Sequence, residues 1–148
     1  MVHIEGSIVI DRPVAEVFDF VADQRNEPSY NPAMTECRLL TPEPVGPGSR
    51  FASTMHSRFR NLSMVSENTG YDRPHRLESR TVSAGTVVTG ALTFEPVGAA
   101  TRMSWDWQVR PTGPSRLLTP LLALMGGRME RGIWSGLKKR LEHPPTSD

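Results

Sequence analysis

The feature that most constrains the fold is a strand near the start of the chain that runs directly into a helix. Ile4, Ile8 and Ile10 recur at even spacing, which places them on one face of a β-strand. Asp11 stands where a helix N-cap belongs, and Pro13 favours the first helical turn. From about residue 34 the pattern indicates strands until one closing helix. This order predicts an α+β protein whose antiparallel sheet curves around a cavity.

The segments between the two helices are bounded by turn residues such as glycine, proline, asparagine and aspartate. Residues 23–32 hold two prolines and leave room for one short helical turn. We expect strands over residues 34–40, 50–57, 59–71, 77–82, 86–96 and 101–109, with a tight turn over residues 58–61. The last strand alternates most clearly, because Met103, Trp105, Trp107 and Val109 fall on one side.

The closing segment from residue 118 has the spacing of an amphipathic helix. Its predicted apolar stripe is Leu118, Leu122, Met125, Met129, Ile133, Leu137 and Leu141, with Glu130 among the charged residues assigned to other faces. The helix also carries four glycines, each of which costs about 1 kcal/mol relative to alanine. Either the helix breaks near Gly126 and Gly127, or the missing side chains leave room above the sheet.

Composition narrows the class of protein. The 148 residues are enough for one domain, which we expect over residues 1–142 with a flexible tail over 143–148. The formal net charge of +1 and the scattered cations argue against nucleic acid as a partner. The single cysteine, Cys37, is interpreted as a half-buried strand residue. No signal peptide or membrane-spanning run is recognised, so we expect a cytoplasmic protein without stable membrane insertion.

No catalytic motif is present in the sequence. The four histidines are far apart and form no metal-ligand spacing, so neither a metal nor a cofactor is expected. There is no nucleophile elbow, phosphate-binding loop or dinucleotide glycine fingerprint. Catalytic residues therefore stay unknown, and Asp106 is interpreted as part of a solvated face.

Methionine and aromatic side chains give the strongest functional signal, because methionine suits an adaptable apolar pocket better than a rigid core. We expect Phe18, Leu92, Phe94, Trp105, Trp107 and Met129 to be mostly buried. The predicted cavity residues are Tyr30, Phe51, Met55, Met64, Leu92, Phe94, Met103, Trp105, Trp107, Leu122, Met125 and Met129. The polar candidates for the same cavity are Asn31, His56, Glu67 and Asn68.

Residues 117–125 are apolar on all sides and need a covering partner. One interpretation places Leu118, Leu122 and Met125 in the cavity and packs Leu117, Leu121 and Leu124 on the strand edges. The other makes the segment a docking surface for a second copy of the chain or for a membrane, flanked by Arg116 and Arg128.

The chain resembles bacterial proteins of the polyketide cyclase/dehydrase type in the SRPBCC superfamily, relatives of START lipid-transfer domains and of the birch-pollen-allergen fold. The resemblance is carried over the whole chain by residues 8–23, by Tyr30-Asn31-Pro32, and by residues 48–51, 71–77, 90–96, 101–107 and 134–142. It implies a helix-grip fold, in which a seven-stranded antiparallel sheet wraps around the C-terminal helix. Many relatives have tryptophan at the position of Tyr30, which adds a hydroxyl here.

Three functions follow as hypotheses. The first is binding of a hydrophobic small molecule, such as a lipid, polyketide or isoprenoid-like compound, in the cavity between sheet and helix. The second is a polyketide cyclase or dehydratase, which requires polar groups that converge in the cavity and a titratable group shifted towards neutral pH. The third is an interaction module that docks through residues 117–125, for example as a homodimer.

Overall fold

The computed structural model describes residues 1–56 and 61–145, without the side chains of Ser115, Leu118, Leu122 and Ala123. Most of the predicted turn over residues 58–61 and the predicted cavity side chain Leu122 therefore lie outside the described part. The elements are β1 (Val2–Ile10), α1 (Val14–Ala22), a first 3-10 helix (Gln24–Ser29), β2 (Met34–Leu39), β3 (Arg50–His56), β4 (Asn61–Asp72), β5 (Arg76–Ser83), β6 (Thr86–Val97), β7 (Ala100–Pro111), a second 3-10 helix (Gly113–Leu118) and α2 (Thr119–Glu142).

All seven strands join one antiparallel sheet in the order β1-β7-β6-β5-β4-β3-β2. Consecutive strands from β2 to β7 are neighbours, and β1 closes the order by pairing with β7, where Val2 lies opposite Val109 and Ile10 opposite Thr101. The α+β fold predicted from the sequence is confirmed.

The two faces of the sheet differ in chemistry. Directly opposed residues in antiparallel strands share a face, so Gly6, Trp105, Leu92 and Leu77 define one side across β1, β7, β6 and β5. This inner face is apolar on β1, β6 and β7. The same face is largely polar on β4 and β5, where it carries Ser66, Asn68, Ser79, Thr81 and Ser83.

Helix α1 covers one end of the inner face. Phe18 is fully buried and makes edge-to-face contacts with Phe94 and Tyr71 at ring-centroid distances of 5.1 and 5.2 Å. The predicted N-cap is wrong: Pro13, in an extended conformation, precedes the first helical residue, Val14. Asp11 instead donates its backbone N–H to Glu142 Oε2 at 2.8 Å, which ties the end of β1 to the end of α2.

Helix α2 is continuous, so the predicted break near Gly126 and Gly127 does not occur. The structure supports the other interpretation, in which the missing side chains of the glycines leave room between α2 and the rest of the protein. A side chain at Gly126 would meet Ile4 of β1, and one at Gly136 would meet the backbone oxygen of Tyr30. The approach at Gly136 requires glycine because the obstacle is backbone, whereas at Gly126 the end of the Ile4 side chain would have to shift.

The buried stripe of α2 is rotated from the predicted one. Trp134, Leu137 and Leu141 are buried, whereas Met125 and Met129 are 49% and 57% exposed. The prediction that Met129 is mostly buried is therefore wrong. The reason is the contact between Gly126 and Ile4, because residues at helical spacing from Gly126, including Glu130 and Leu137, then face the sheet.

Leucines at the start of α2 and just before it face away from the body of the protein. Leu117, Leu121 and Leu124 are 86%, 50% and 81% exposed. The interpretation that packed these three residues on the strand edges is wrong, since α2 comes close to β1 through Gly126, on a different side of the helix.

Candidate functional site

The polar part of the inner face is deeply buried on β3 and β4. Ser53 on β3 and Ser66 and Asn68 on β4 are each at most 4% exposed. The Ser66 and Thr81 hydroxyls share a hydrogen bond of 2.8 Å. Polar side chains in such positions need partners, because an unpartnered buried group costs about 1–3 kcal/mol.

Three buried polar atoms have no hydrogen-bond partner among the described residues: Ser53 Oγ, Asn68 Oδ1 and Trp105 Nε1. All three belong to residues of the inner face, as the strand register requires. The amide nitrogen of Asn68 donates to the backbone oxygen of Gly46 at 3.4 Å, so only its oxygen is left over. These atoms are available to a ligand.

The first 3-10 helix adds an acidic group. Asn31, which is 2% exposed, donates its amide Nδ2 to Glu27 Oε1 at 3.2 Å, and the same nitrogen lies 4.0 Å from Met55 Sδ on the inner face of β3. Burial raises the pKa of Glu27 to about 7, an effect that the Asn31 hydrogen bond opposes and the Glu130 charge reinforces. Glu27 therefore populates both protonation states near neutral pH.

A second acidic group comes from α2. Glu130 Oε2 accepts hydrogen bonds from the indole nitrogens of Trp134 at 2.8 Å and Trp107 at 3.1 Å. Burial raises the pKa of Glu130, although both indole bonds lower it. The two bonds join α2 to β7, and the same carboxylate oxygen, Oε2, accepts both.

Tyr30 and Cys37 belong to the same environment. Burial raises the pKa of the buried Tyr30 well above its usual value, and the Glu27, Cys37 and Glu130 charges act in the same direction. Burial likewise raises the pKa of the Cys37 thiol to about 11, with Glu27 as a further cause. Cys37 is half-buried, as predicted. Four titratable groups therefore lie in one region of the protein. They come from the first 3-10 helix, the turn before β2, β2 itself and α2, and they are Glu27, Tyr30, Cys37 and Glu130.

Aromatic rings form the apolar wall of this region. Trp134 lies 6.2 Å from both Tyr30 and Trp105, measured between ring centroids, and Tyr30 lies 6.0 Å from Phe20. Trp105 also covers Gly6, where a side chain would collide with the indole. The acidic groups therefore face aromatic surfaces.

Most of the predicted cavity residues lie on the inner face or directly beside it. The buried ones are Tyr30, Asn31, Phe51, Asn68, Leu92, Phe94, Met103 and Trp105, and the half-buried ones are Met55, Met64 and Trp107. Met125 and Met129 are exposed on α2. The structure brings eleven of the sixteen candidates together in this way, and whether they contact a ligand stays a prediction.

Two predicted polar residues are elsewhere. His56 is exposed at the end of β3, where its Nδ1 lies 2.7 Å from Asn61 Oδ1. Glu67 is on the outer face, opposite Arg50 of β3 and Arg80 of β5. Neither residue reaches the interior.

Sequence reasoning missed Glu27, Glu130 and Ser53. Glu27 lies in a proline-containing 3-10 turn, which has no periodicity to reveal its direction. Glu130 carried a usable signal, because its four-residue spacing from Trp134 and from Gly126 assigns it to the face that packs on the sheet. Ser53 is the inner-face partner of Cys37 and Met64, which only the strand register reveals.

The inner face is only partly covered. On the described part of the chain, inner-face residues of β4 to β7 such as Met64, Thr81, Val88 and Val109 are only half-buried. Thr81, Val88 and Val109 are paired in register across β5, β6 and β7, so the partly covered row crosses the sheet and is not confined to one edge.

The outer face carries depressions of a different character. One of about 940 Å³ is lined by charged and small polar residues, among them Glu5, Glu78 and Arg80. At its rim His3, Glu5 and Asp106 offer ligand atoms within 4.8 Å of one another, and His3 Nε2 lies 2.6 Å from Asp106 Oδ1. All three residues are exposed, and within residues 1–56 and 61–145 this is the set of donors whose spacing would suit a metal ion.

A curved antiparallel sheet that grips a C-terminal helix defines the helix-grip class of proteins. Within that class, the family described as polyketide cyclase / dehydrase and lipid transport matches residues 1–142. The chain belongs to this family. No curated protein sequence matches the chain.

Solved structures share the fold at low sequence identity. A START superfamily protein from Mycobacterium smegmatis has a TM-score of 0.83 and 13% identity, over 97% of this chain and 99% of its own. A protein from Thermus thermophilus has a TM-score of 0.82 and 17% identity over the same shares. The Zhui aromatase/cyclase from Streptomyces sp. R1128 has a TM-score of 0.72 and 13% identity, over 98% of both chains.

Neither α-helix in residues 1–56 and 61–145 combines the length and the hydropathy needed to cross a bilayer.

Proposed function

We propose that the protein binds a hydrophobic small molecule between the inner face of the sheet and α2. The observation that carries the proposal is the set of unpartnered polar atoms on this face, Ser53 Oγ, Asn68 Oδ1 and Trp105 Nε1. Each is buried beside apolar or aromatic surface, which suits a mainly apolar ligand with a few polar groups. Membership of a family described by lipid transport and polyketide chemistry supports the same conclusion.

Tryptophan fluorescence tests this proposal directly, because the chain has three tryptophans and Trp105, Trp107 and Trp134 all border the site. Titration with a panel of apolar probes should change the emission in a saturable way. Native mass spectrometry of protein purified from its own host should show a bound small molecule. Substituting Leu92→Glu on the inner face should abolish saturation, whereas Glu95→Gln on the exposed outer face of the same strand should not. A flat titration with every probe contradicts the proposal.

A second candidate is an enzyme of the cyclase or dehydratase type. The observation that favours it is Glu27, whose pKa of about 7 suits a general acid or base at neutral pH, in the same region as Tyr30. Dehydration of a β-hydroxyketone needs one group to remove a proton and one to protonate the leaving hydroxyl. Glu27 and Glu130 offer two carboxyl groups for these roles.

The enzymatic candidate is tested with a linear poly-β-keto thioester followed by chromatography and mass spectrometry. Glu27→Gln should reduce turnover by at least about a hundredfold, the usual contribution of a general acid or base. Glu67→Gln on the outer face is the matched control. Equal product profiles with and without protein contradict catalysis of this reaction and leave ligand binding as the proposed function.

A third candidate is docking through the exposed leucines Leu117, Leu121 and Leu124. Arg116 and Arg128 flank them and are exposed, so the surface fits an anionic bilayer, with the helix lying on it and not across it. Vesicles containing phosphatidylserine should co-float with the wild type and not with the Leu121→Lys, Leu124→Lys double variant. A wild-type dimer detected by light scattering, lost in the same variant, would assign the surface to self-association instead.

A further inference from the structure

The polar atoms that line the interior are mainly hydrogen-bond acceptors. Asn68 Oδ1 is buried without a partner among the described residues, Glu27 accepts one hydrogen bond, from Asn31, and Glu130 accepts two through Oε2. The Ser53 hydroxyl can accept or donate. Trp105 Nε1 is the unpartnered group that can only donate. A ligand that satisfies these atoms therefore supplies donors to Asn68 and to the two carboxyl groups, and one acceptor to Trp105.

Positive charge is found elsewhere among the described side chains. Arg25 bonds to Asp23 and Glu43 at the surface, Lys138 bonds to Glu142 and to the backbone oxygen of Val9, and Arg140 lies over the ring of Phe20. Arg38, Arg50, Arg80, Arg102 and Arg110 are exposed on strands, at positions that alternate away from the inner face. Among the described side chains, a bound carboxylate would therefore meet acidic neighbours without a counter-charge.

We propose that the interior selects amphipathic ligands whose polar end donates hydrogen bonds, a hydroxyl or a protonated amine, and rejects ligands that end in a carboxylate. This inference rests on the proposed binding of a hydrophobic molecule and specifies its polar chemistry. Asn68, at 1% exposure, provides a buried acceptor on the inner face, and Glu27 and Glu130 provide carboxyl oxygens in the region of Tyr30 and Trp134.

The ionisation of this site depends on groups from several elements. Glu27 interacts with Tyr30 at the end of its own 3-10 helix and with Glu130 from α2, and its charge also reaches Cys37 on β2. Asp23 and Arg25, from the start of the same helix, influence Cys37 as well. Because Tyr30 and Cys37 are neutral at ordinary pH, Glu27 and Glu130 determine the charge that a ligand meets.

Three ligands with the same ten-carbon chain test the inference: decanol, decylamine and decanoate. Isothermal titration calorimetry at pH 8 measures each affinity for the wild type, since Glu27 is then mostly ionised. Decanol and decylamine should bind, and decanoate should bind at least about tenfold more weakly than either. A higher affinity for decylamine than for decanol would show that charge is the source of the selection. Equal affinities for the two would show that hydrogen bonding is the source.

Variants then assign the selection to the site. The Glu27→Gln, Glu130→Gln double variant should bind decylamine at least about tenfold more weakly than the wild type does. The difference between its affinities for decylamine and decanoate should be smaller than in the wild type. Glu67→Gln, which removes a carboxyl from the outer face, should change none of the three affinities. The comparison of the three ligands uses the wild-type protein alone, so it tests the inference even if the double variant does not fold. Decanoate bound as tightly as decanol overturns this inference alone, whereas failure of all three to bind overturns the proposed function as well.

Discussion

Glu27 makes the stability of this protein depend on pH in an unusual direction. Burial raises its pKa to about 7, whereas glutamate in an unfolded chain titrates near about 4.3. The folded state therefore holds the proton more tightly than the unfolded state. The resulting contribution to the free energy of unfolding is fully present below about pH 4.3 and is lost as the pH rises to about 7.

We expect the Glu27→Gln variant to remove this dependence. Relative to wild type, its free energy of unfolding should rise by up to about 3 kcal/mol between pH 4.5 and pH 8, since one pKa unit corresponds to about 1.4 kcal/mol. Urea denaturation at several pH values measures the difference. Glu67→Gln serves as control and should follow the wild type. Parallel curves for wild type and Glu27→Gln would show that Glu27 ionises normally in the folded protein.

Ser53 and Ser66 form a matched pair of buried hydroxyls for a second prediction. Ser53 Oγ has no partner among the described residues, whereas Ser66 shares a hydrogen bond with Thr81. Ser53→Ala should stabilise the ligand-free protein by about 1 kcal/mol, because it removes an uncompensated polar group. Ser66→Ala should destabilise it by a similar amount. Thermal denaturation that gives both variants the same sign would contradict the assignment of Ser53 as unpartnered.

At the residue scale, alternation along strands predicted the apolar wall well. Phe94, Met103 and Trp105 lie on the inner face because period-two spacing survives within a single regular strand. Of the two neighbouring cavity candidates Glu67 and Asn68, the register leaves only Asn68 on that face. Choosing between such neighbours requires the pairing partner, which one sequence does not provide. The acidic groups Glu27 and Glu130 were missed because they come together only when α2 meets the first 3-10 helix.

At the scale of single elements, the glycines of α2 illustrate why helix propensity alone is a poor guide. Gly136 costs helix stability, yet it lets the backbone of α2 approach the backbone oxygen of Tyr30. Gly132 lies one turn earlier and has no atom within 4 Å of the position that a side chain would take. Substitution of glycine by alanine is therefore expected to change the stability of the protein in opposite directions at the two positions.

We expect Gly136→Ala to destabilise the protein by about 1–3 kcal/mol, because the added carbon meets backbone that has no freedom to move. Gly132→Ala should stabilise it by up to about 1 kcal/mol, the difference in helix propensity. Urea denaturation of both variants provides the comparison. If Gly136→Ala were as stable as Gly132→Ala, α2 would have to sit further from Tyr30 than the structure indicates.

The element boundaries followed from turn chemistry. Every predicted strand is present, within a few residues of its predicted bounds, because glycine and proline mark the turns between them. The N-cap of α1 and the inner stripe of α2 were wrong for a shared reason. Both depend on how α2 docks against β1, through Asp11 at one end and Gly126 near the other. Local sequence gives no information about such a distant contact.

At the scale of the whole molecule, β1 pairs with β7, which lies on the order of a hundred residues later in the chain. Contacts between distant residues must form against the entropy of a long loop. We therefore expect refolding on a timescale of about milliseconds to seconds, as for sheet proteins with mainly non-local pairing. Stopped-flow tryptophan fluorescence measures the rate, and refolding within microseconds would contradict this expectation.

The same connection has a consequence for synthesis on the ribosome. Val9 and Asp11 at the end of β1 bond to Lys138 and Glu142 in the last turns of α2, at 2.8 Å in both cases. Strand β1 precedes the other elements of this domain, so these contacts form only after the end of α2 has been synthesised. Until then Ile4 lacks the cover that α2 gives it at Gly126, and we expect β1 to be accessible to chaperones while the rest of the domain is synthesised.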